Sequence, residues 1–263
     1  MWIMDTGSGV DLVSLKKIQH AMKYCETPQV PVEFATANGI TTARQVIRAS
    51  MPPFNEVILP FVLADTPSVL SVGLRCMKFG YSFHWFPGES PYMLTPDGEI
   101  VQLEVHGDLP MLHMQRCKPF KKGFQRTYPG TQFADATSDK ITEIPYGNAF
   151  RKVSRWICDS GSGHDLLSKS DVANKKRIKP AKQRMIFETA NGAVGADLTC
   201  NDRVSLLQQD ITAYVMESTP AVLSIGARCM RHGYAFHWPA GQRPYFVTPN
   251  GLIVKLLVHT VLG

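Results

Sequence analysis

The chain contains 263 residues, of which 44% are hydrophobic and 19% charged, with 20 glycines and 18 prolines. This balance is typical of a folded protein rich in turns and argues against a disordered chain. The formal net charge of +6 permits contact with nucleic acid or another polyanion but does not require it, because basic surface loops produce the same excess.

The order of apolar and turn-forming segments in the first half predicts mainly short strands. Residues 30–37 form a β-prone run that leads into Asn38-Gly39, a strong signal for a tight hairpin turn. Further strands are expected at 57–63, at 81–85, where the strand closes the half, and at 100–105. A short helix is expected at 75–79, because glycines stand on both sides of it.

The second half repeats the first. Residues 2–106 align with 156–259 almost without gaps. Matching strands are therefore expected at 185–190, 211–216, 234–238 and 252–258, with a helix at 228–232 and a hairpin turn at Asn191-Gly192. We predict a mostly β protein with two lobes, residues 1–112 and 155–263, related by a tandem repeat.

Residues 113–154 between the lobes are polar and basic and are interrupted by proline and glycine, which predicts a linker. At roughly 3.3 Å per residue, about forty extended residues reach well over 100 Å, so the second lobe can fold back onto the first. Lys118, Lys121, Phe120 and Phe124 mix positive charge with aromatic rings. They support weak nucleic-acid contact through this linker, although a solvated segment is the simpler interpretation.

Neither the cysteines nor the histidines predict a metal site. The six cysteines show no CxxC or other close ligand spacing. The histidines paired by the repeat, His84 with His237 and His106 with His259, are interpreted as strand residues. Reduced core thiols indicate an intracellular protein, and no apolar run approaches the length of a membrane span. We expect no metal, no cofactor and no membrane contact.

A carboxylate follows an apolar run at corresponding places in the two halves. Residues 2–9 read Trp-Ile-Met-Asp-Thr-Gly-Ser-Gly, and residues 156–163 read Trp-Ile-Cys-Asp-Ser-Gly-Ser-Gly. Two carboxylates that face each other across a water share one proton, so that one can deprotonate the water while the other hydrogen-bonds a scissile carbonyl. The repeat therefore predicts Asp5 and Asp159 as a catalytic pair.

The residues after each aspartate fit supporting roles: a hydroxyl for contact across the lobe interface, a glycine that lets amides approach, and a serine that donates to its own lobe's carboxylate. In that order they are Thr6, Gly7 and Ser8 in the first loop and Ser160, Gly161 and Ser162 in the second. The two hairpin turns are candidate flaps over a bound peptide. Their residues are Ala37, Asn38, Gly39, Ala190, Asn191 and Gly192.

These motifs resemble the protease region of copia-type retrotransposon polyproteins, which is retropepsin-like. The resemblance is carried by the Asp-Thr/Ser-Gly-Ser loops, Val-Leu-Ser-Val/Ile-Gly, Gly-Tyr-Ser/Ala-Phe-His-Trp and Thr-Pro-Asp/Asn-Gly, each present in both halves. It implies that Asp5 and Asp159 are the catalytic aspartates of an aspartic endopeptidase that acts on polypeptides. It also implies retropepsin-like β-barrel lobes and a location in the cytoplasm or in a retrotransposon-like particle.

Enzymes of this family pair two identical subunits, so two copies in one chain imply a single-chain pseudo-dimer. Pairing of lobes between two chains, as a homodimer, stays open at this point. The family usually has strands before the catalytic aspartate, whereas only four residues precede Asp5 here. The alternative function is a catalytically inactive, transposon-derived module that binds peptides or associates with RNA.

Overall fold

The computed structural model describes residues 1–28, 31–36, 39–114, 155–172, 177–189 and 192–258, and within these ranges the chain is mostly β. The first half contains β1 (Trp2–Asp5), β2 (Leu12–Ser14), β3 (Cys25–Glu26), β4 (Val32–Thr36), β5 (Gly39–Ala43), β6 (Val46–Ile47), β7 (Ala49–Met51), β8 (Glu56–Ile58), β9 (Phe61–Leu63), β10 (Val69–Ser71), α1 (Val72–Lys78), β11 (Ser82–Trp85), β12 (Tyr92–Leu94), β13 (Ile100–Gln102), β14 (Glu104–His106) and β15 (Leu109–Leu112). The second half contains β16 (Ile157–Asp159), β17 (Leu166–Ser168), β18 (Ile178–Thr189), β19 (Gly192–Val204), β20 (Gln209–Met216), β21 (Val222–Ser224), α2 (Ile225–Arg231), β22 (Ala235–Trp238), β23 (Tyr245–Val247) and β24 (Ile253–Lys255). Short 3-10 segments cover Leu15–Tyr24, Pro52–Phe54 and Ser205–Leu207.

A proline divides a strand of the first half where the second half is continuous. β20 runs unbroken over 8 residues, whereas the corresponding first-half residues form β8 and β9 with Pro60 between them. Pro60 stands where the second half has Ala213, and proline has no N–H to donate to a strand ladder. The single strand expected at 57–63 is therefore two strands.

Both helices begin earlier than the sequence predicts, because a serine caps each of them. The Ser71 hydroxyl accepts a hydrogen bond from the Leu74 N–H at 3.0 Å, and the Ser224 hydroxyl accepts one from the Ala227 N–H at 3.0 Å. A capping side chain satisfies an amide that has no partner inside the helix. The caps place the first helical residues at Val72 and Ile225, ahead of the expected starts.

The strand order brings each aspartate next to a helix start. β10 lies between β1 and β2, parallel to β1 and antiparallel to β2. β21 lies in the same way between β16 and β17. Asp5 is in register with Ser71, and Asp159 with Ser224. Each aspartate thus ends a strand beside the serine that caps the following helix of its own half.

The strands expected to close each half instead join the halves to one another, so that expectation was wrong. β11 and β22 pair antiparallel, with His84 opposite His237. They form the centre of a six-stranded sheet in the order β13-β12-β11-β22-β23-β24. An edge strand exposes unpaired backbone groups, and the matching edge strand of the other half satisfies them.

The two halves also share side-chain packing. A Cβ placed on Gly226 would lie 2.9 Å from Cη2 of Trp85, and one on Gly73 would lie 3.0 Å from Cη2 of Trp238, so each tryptophan rests on the helix of the other half. A single buried apolar cluster contains residues of both halves, including Phe83 and Phe236. Burial of this apolar surface stabilises the association of the halves.

Several predictions lie outside the described residues. They include the linker from residue 115 to 154, with its nucleic-acid contact, and the flap turns at Ala37, Asn38, Ala190 and Asn191. In the ranges that are described, no helix combines the length and the apolar character needed to cross a bilayer. The described cysteines, Cys25, Cys76, Cys158, Cys200 and Cys229, are free thiols.

Candidate active site

The loops that follow β1 and β16 meet across the lobe interface. The N–H of Thr6 donates to Oγ of Ser160 at 3.0 Å, and the N–H of Ser160 donates to Oγ1 of Thr6 at 3.0 Å. Each hydroxyl in turn donates to a carbonyl of the opposite lobe: Thr6 to Cys158 at 2.9 Å and Ser160 to Met4 at 2.7 Å. These reciprocal bonds are the cross-lobe contacts expected of the two hydroxyl residues, and they fix the loops in register.

The glycine of each loop makes room for the carboxylate of the other lobe. A Cβ on Gly7 would lie 2.9 Å from Cγ of Asp159, and a Cβ on Gly161 would lie 2.6 Å from Cγ of Asp5. The two carboxyl groups lie side by side, since the same Cβ position at Gly161 is 2.5 Å from Oδ2 of Asp5 and 3.2 Å from Oδ1 of Asp159. Only glycine allows this approach without displacing a carboxylate.

Backbone amides donate hydrogen bonds to both carboxylates. Oδ1 of Asp5 accepts the N–H of Gly7 at 2.6 Å and that of Ser8 at 2.9 Å. Oδ1 of Asp159 accepts the N–H of Gly161 at 2.7 Å. The Gly7 amide also lowers the pKa of Asp159. Hydrogen bonds from amides favour the ionised form of a carboxyl group, so these amides oppose the effect of burial at both aspartates.

The pKa values of both carboxyl groups are raised, mainly because burial disfavours the charged form. The pKa of Asp159 is raised well above its usual value, since the charge of Asp5 acts in the same direction as desolvation. The pKa of Asp5 is also raised, although its interaction with Asp159 and the hydrogen bonds donated by the Ser8 and Gly7 amides lower it. Two adjacent carboxylates of this kind retain one proton between them and titrate as a pair.

The serine hydroxyls do not donate to the carboxylates, so this part of the sequence prediction was wrong. Oγ of Ser8 donates to the carbonyl of Val10 at 2.7 Å, and Oγ of Ser162 donates to the carbonyl of His164 at 2.7 Å. A serine side chain readily bonds the backbone two residues away, which closes the loop locally. Ser8 still supports Asp5, but through its N–H.

A buried ion pair behind each loop was missed by the sequence analysis. The Arg75 guanidinium donates to Asp11 at 2.8 and 3.3 Å, and that of Arg228 donates to Asp165 at 2.6 and 3.1 Å. Both arginines are almost fully buried, with 0% and 1% of their side chains exposed. The signal was present, since all four residues are paired by the repeat.

The same aspartates connect the loops to the helix starts. Asp11 accepts the N–H of Ser71 at 2.7 Å, and Asp165 accepts that of Ser224 at 2.8 Å. The Ser71 hydroxyl also donates to the Ser8 carbonyl at 2.6 Å. Each Asp loop therefore rests on a buried charged network that fixes its distance from α1 or α2.

The candidate flaps are the ends of two hairpins of different length. β4 and β5 form the first hairpin, up to Thr36 and Gly39, and β18 and β19 form the longer second one. The N–H of Gly192 in the second hairpin donates to the carbonyl of Asp65 in the first half at 3.0 Å. The second hairpin thus reaches across to the other lobe.

Two further features lie apart from the carboxylates. A shallow cavity of about 480 Å³ in the first lobe is lined by Leu15, Thr42, Arg44 and Val62, and it includes neither aspartate. Its chemistry offers no reactive group, so we place the candidate site at the carboxylates. His164, next to the second loop, packs edge-on against the Phe187 and Tyr214 rings.

His84 and His237 meet at the centre of the sheet that joins the lobes. Their Nδ1 atoms lie 2.8 Å apart, so one ring donates and the other accepts, which requires that at least one of the two rings is neutral. Burial lowers the pKa of His84 to about 4 and, with the charge of His84, that of His237 to about 3. Both rings are therefore neutral in the folded protein above these values.

Acid is expected to destabilise this interface. In the unfolded chain the two histidines titrate near 6.5, so below that pH the unfolded state binds more protons. Their contribution to stability is complete above pH 6.5 and falls as the pH drops toward about 4, by up to about 1.4 kcal/mol per pH unit for each histidine. Urea unfolding at pH 7, 6 and 5 measures this slope.

The double variant His84→Asn, His237→Asn is the control for this prediction. It should lose most of the slope between pH 6.5 and 5. Asp5 and Asp159, whose raised pKa values act in the opposite direction, are present in both proteins, so their effect cancels in the comparison. Equal slopes for the native chain and the double variant would contradict the prediction.

Comparison with known proteins adds no assignment to this geometry. No protein-family model matches the chain, and no curated protein matches it. The resemblance to retropepsin-like proteases therefore rests on the residues quoted above.

Proposed function

We propose that the chain is an aspartic-type endopeptidase that uses one aspartate from each lobe. The observation that carries the proposal is that the carboxyl groups of Asp5 and Asp159 lie side by side, with oxygens 2.5 and 3.2 Å from the same Cβ position at Gly161, on two loops held together by four cross-lobe hydrogen bonds. A pair that holds one proton offers a base and an acid side by side, which is what hydrolysis of a peptide bond requires.

In the proposed reaction a water molecule is the nucleophile and no covalent intermediate forms. Asp5, ionised, takes a proton from the water as its oxygen attacks the scissile carbonyl carbon. Asp159, protonated, gives its proton to the carbonyl oxygen, which yields a diol. Asp5 then passes its proton to the departing amine, the C–N bond breaks, and Asp159 recovers a proton from a diol hydroxyl.

We also propose that the fold is a retropepsin-like pseudo-dimer within one chain, of retrotransposon origin. Three features support an intramolecular pair: the shared central sheet, the packing of each lobe's tryptophan on the helix of the other lobe, and the reciprocal Thr6 and Ser160 bonds. The substrate is an extended polypeptide that lies between the carboxyl pair and the two hairpins. The contact of Gly192 with Asp65 supports closure of the second hairpin over that peptide.

The test is cleavage of a mixed peptide library by the purified chain, followed by mass spectrometry. We expect cleavage within peptides, inhibited by pepstatin, because this compound imitates the diol. Activity should fall as the pH rises above the value at which the pair loses its shared proton. Peptide binding without cleavage at any pH from 3 to 7 would contradict the proposal and favour the non-catalytic alternative.

A further inference from the structure

Two histidines and a glutamate converge on the outer hairpin of the first lobe, a group that the sequence analysis did not assemble. Oε2 of Glu104 lies 3.2 Å from Nε2 of His106 and 3.1 Å from Nε2 of His113. These three atoms all lie within 4.8 Å of one another. Among the residues that the structure describes, this is the one group of three or more histidine, cysteine, aspartate or glutamate side chains whose donor atoms lie this close together.

The backbone explains the convergence. Glu104 and His106 are two residues apart on β14, so their side chains leave the same face of the hairpin. Glu104 is in register with Met111 of β15, and His113 follows Met111 by two residues, which places it diagonally across from Glu104. The His106 and His113 ring centres are 6.2 Å apart. The sequence shows only the Glu-x-His spacing, because His113 is brought close to these two residues by the pairing of β14 with β15.

The separations suit a tetrahedral metal ion. Zn²⁺ binds histidine nitrogen and carboxylate oxygen at about 2.0–2.2 Å, so two donors of one tetrahedral ion lie about 3.3 Å apart. The two measured separations from Glu104 are within a few tenths of an ångström of this value. Two imidazoles and one carboxylate form a ligand set that zinc accepts, with a fourth position left for water.

The hairpin that carries the group also contacts the second lobe. A Cβ on Gly226 would overlap the carbonyl oxygen of Asp108, and the Asp108 carboxylate pairs with Arg231. A Cβ on Gly163, in the second catalytic loop, would lie 2.5 Å from the Gly107 carbonyl oxygen. An ion bound by His106, next to Gly107, would therefore stabilise the Gly107-Asp108 turn that contacts the second lobe.

We propose that Glu104, His106 and His113 form a Zn²⁺ site that ties β14 to the chain after β15 and stabilises the docking of this hairpin on the second lobe. The site includes neither Asp5 nor Asp159 and does not depend on the proposed proteolysis. The ion has a structural role here and takes no part in peptide hydrolysis.

The experiment uses the full chain after removal of metal by a chelator. Calorimetric titration with Zn²⁺ should give one site per chain, and Zn²⁺ should raise the midpoint of thermal unfolding. His106→Gln and Glu104→Gln should each weaken binding by at least about 100-fold, since even loss of an outer partner of a metal ligand costs about 10–100-fold. Both side chains are substantially exposed, at 51% and 41%. Their replacement should therefore not change the midpoint of thermal unfolding of the metal-free chain.

His20→Gln is the matched control, because His20 is exposed on a 3-10 segment and does not belong to the group of Glu104, His106 and His113. It should bind Zn²⁺ as the native chain does. Co²⁺, used as a spectroscopic substitute, should give visible absorption without a thiolate band, and the two hairpin variants should lose it. Native-like Zn²⁺ affinity in His106→Gln, an equal loss in His20→Gln, or a Co²⁺-thiolate band would each overturn the proposal.

Discussion

Replacing Asp159 by Asn is expected to reduce peptide cleavage by at least about 100-fold, because it removes the group that donates a proton to the scissile carbonyl in the proposed mechanism. Asp5→Asn should cause a loss of the same order, since the water then has no base. The two losses should not add in the double variant, because each substitution alone destroys the pair. Initial rates of cleavage of one identified peptide measure these effects.

Both asparagine variants should keep the native fold. Asn occupies the volume of Asp, and the cross-lobe bonds are made by Thr6 and Ser160 rather than by the carboxylates. Asp210→Asn is the control for loss of a carboxylate, because Asp210 is exposed and distant in sequence from both loops. Residual activity above a tenth of native in either dyad variant would contradict the assigned roles.

Replacing Arg228 by Met is expected to lower the free energy of unfolding by about 3–5 kcal/mol, the range measured when one partner of a buried ion pair is removed. The guanidinium is 1% exposed and donates two hydrogen bonds to Asp165. Met fills much of the same space but leaves the carboxylate buried without its counter-charge. Urea unfolding at pH 7 measures the change.

Two further variants test the reason for this loss. Adding Asp165→Asn to Arg228→Met should recover part of the stability, because it removes the unpaired charge while an oxygen remains for the Ser224 N–H. Arg203→Met removes an exposed pair with Asp210 and should cost no more than about 1 kcal/mol. Equal losses for Arg203→Met and Arg228→Met would contradict the explanation.

The local parts of the candidate site were predictable from the sequence. The repeat identified both Asp loops, and the residue types after each aspartate indicated the cross-lobe hydroxyl contacts and the need for glycine. The hairpins and helices were located because Asn-Gly turns and glycine punctuation act over a few residues. The strand break at Pro60 follows from the same kind of local signal, which the comparison with Ala213 makes visible.

The contacts between distant segments were not predictable in this way. The pairing of β11 with β22 depends on which edge strands meet when the lobes pack. The sequence of either strand alone does not determine its partner. The Glu104, His106 and His113 group depends on strand register in the same way. The roles of the Ser8 and Ser162 hydroxyls depended on rotamers, since a carbonyl and a carboxylate compete for the same donor.

The most direct test of the account is a mixing experiment with the two inactive variants. If Asp5 and Asp159 of one chain form the site, an equimolar mixture of Asp5→Asn and Asp159→Asn should stay inactive, and the specific activity of the native chain should not change on dilution. Cleavage regained on mixing, or specific activity that falls with dilution, would show that the pair forms between two chains and would contradict the single-chain site.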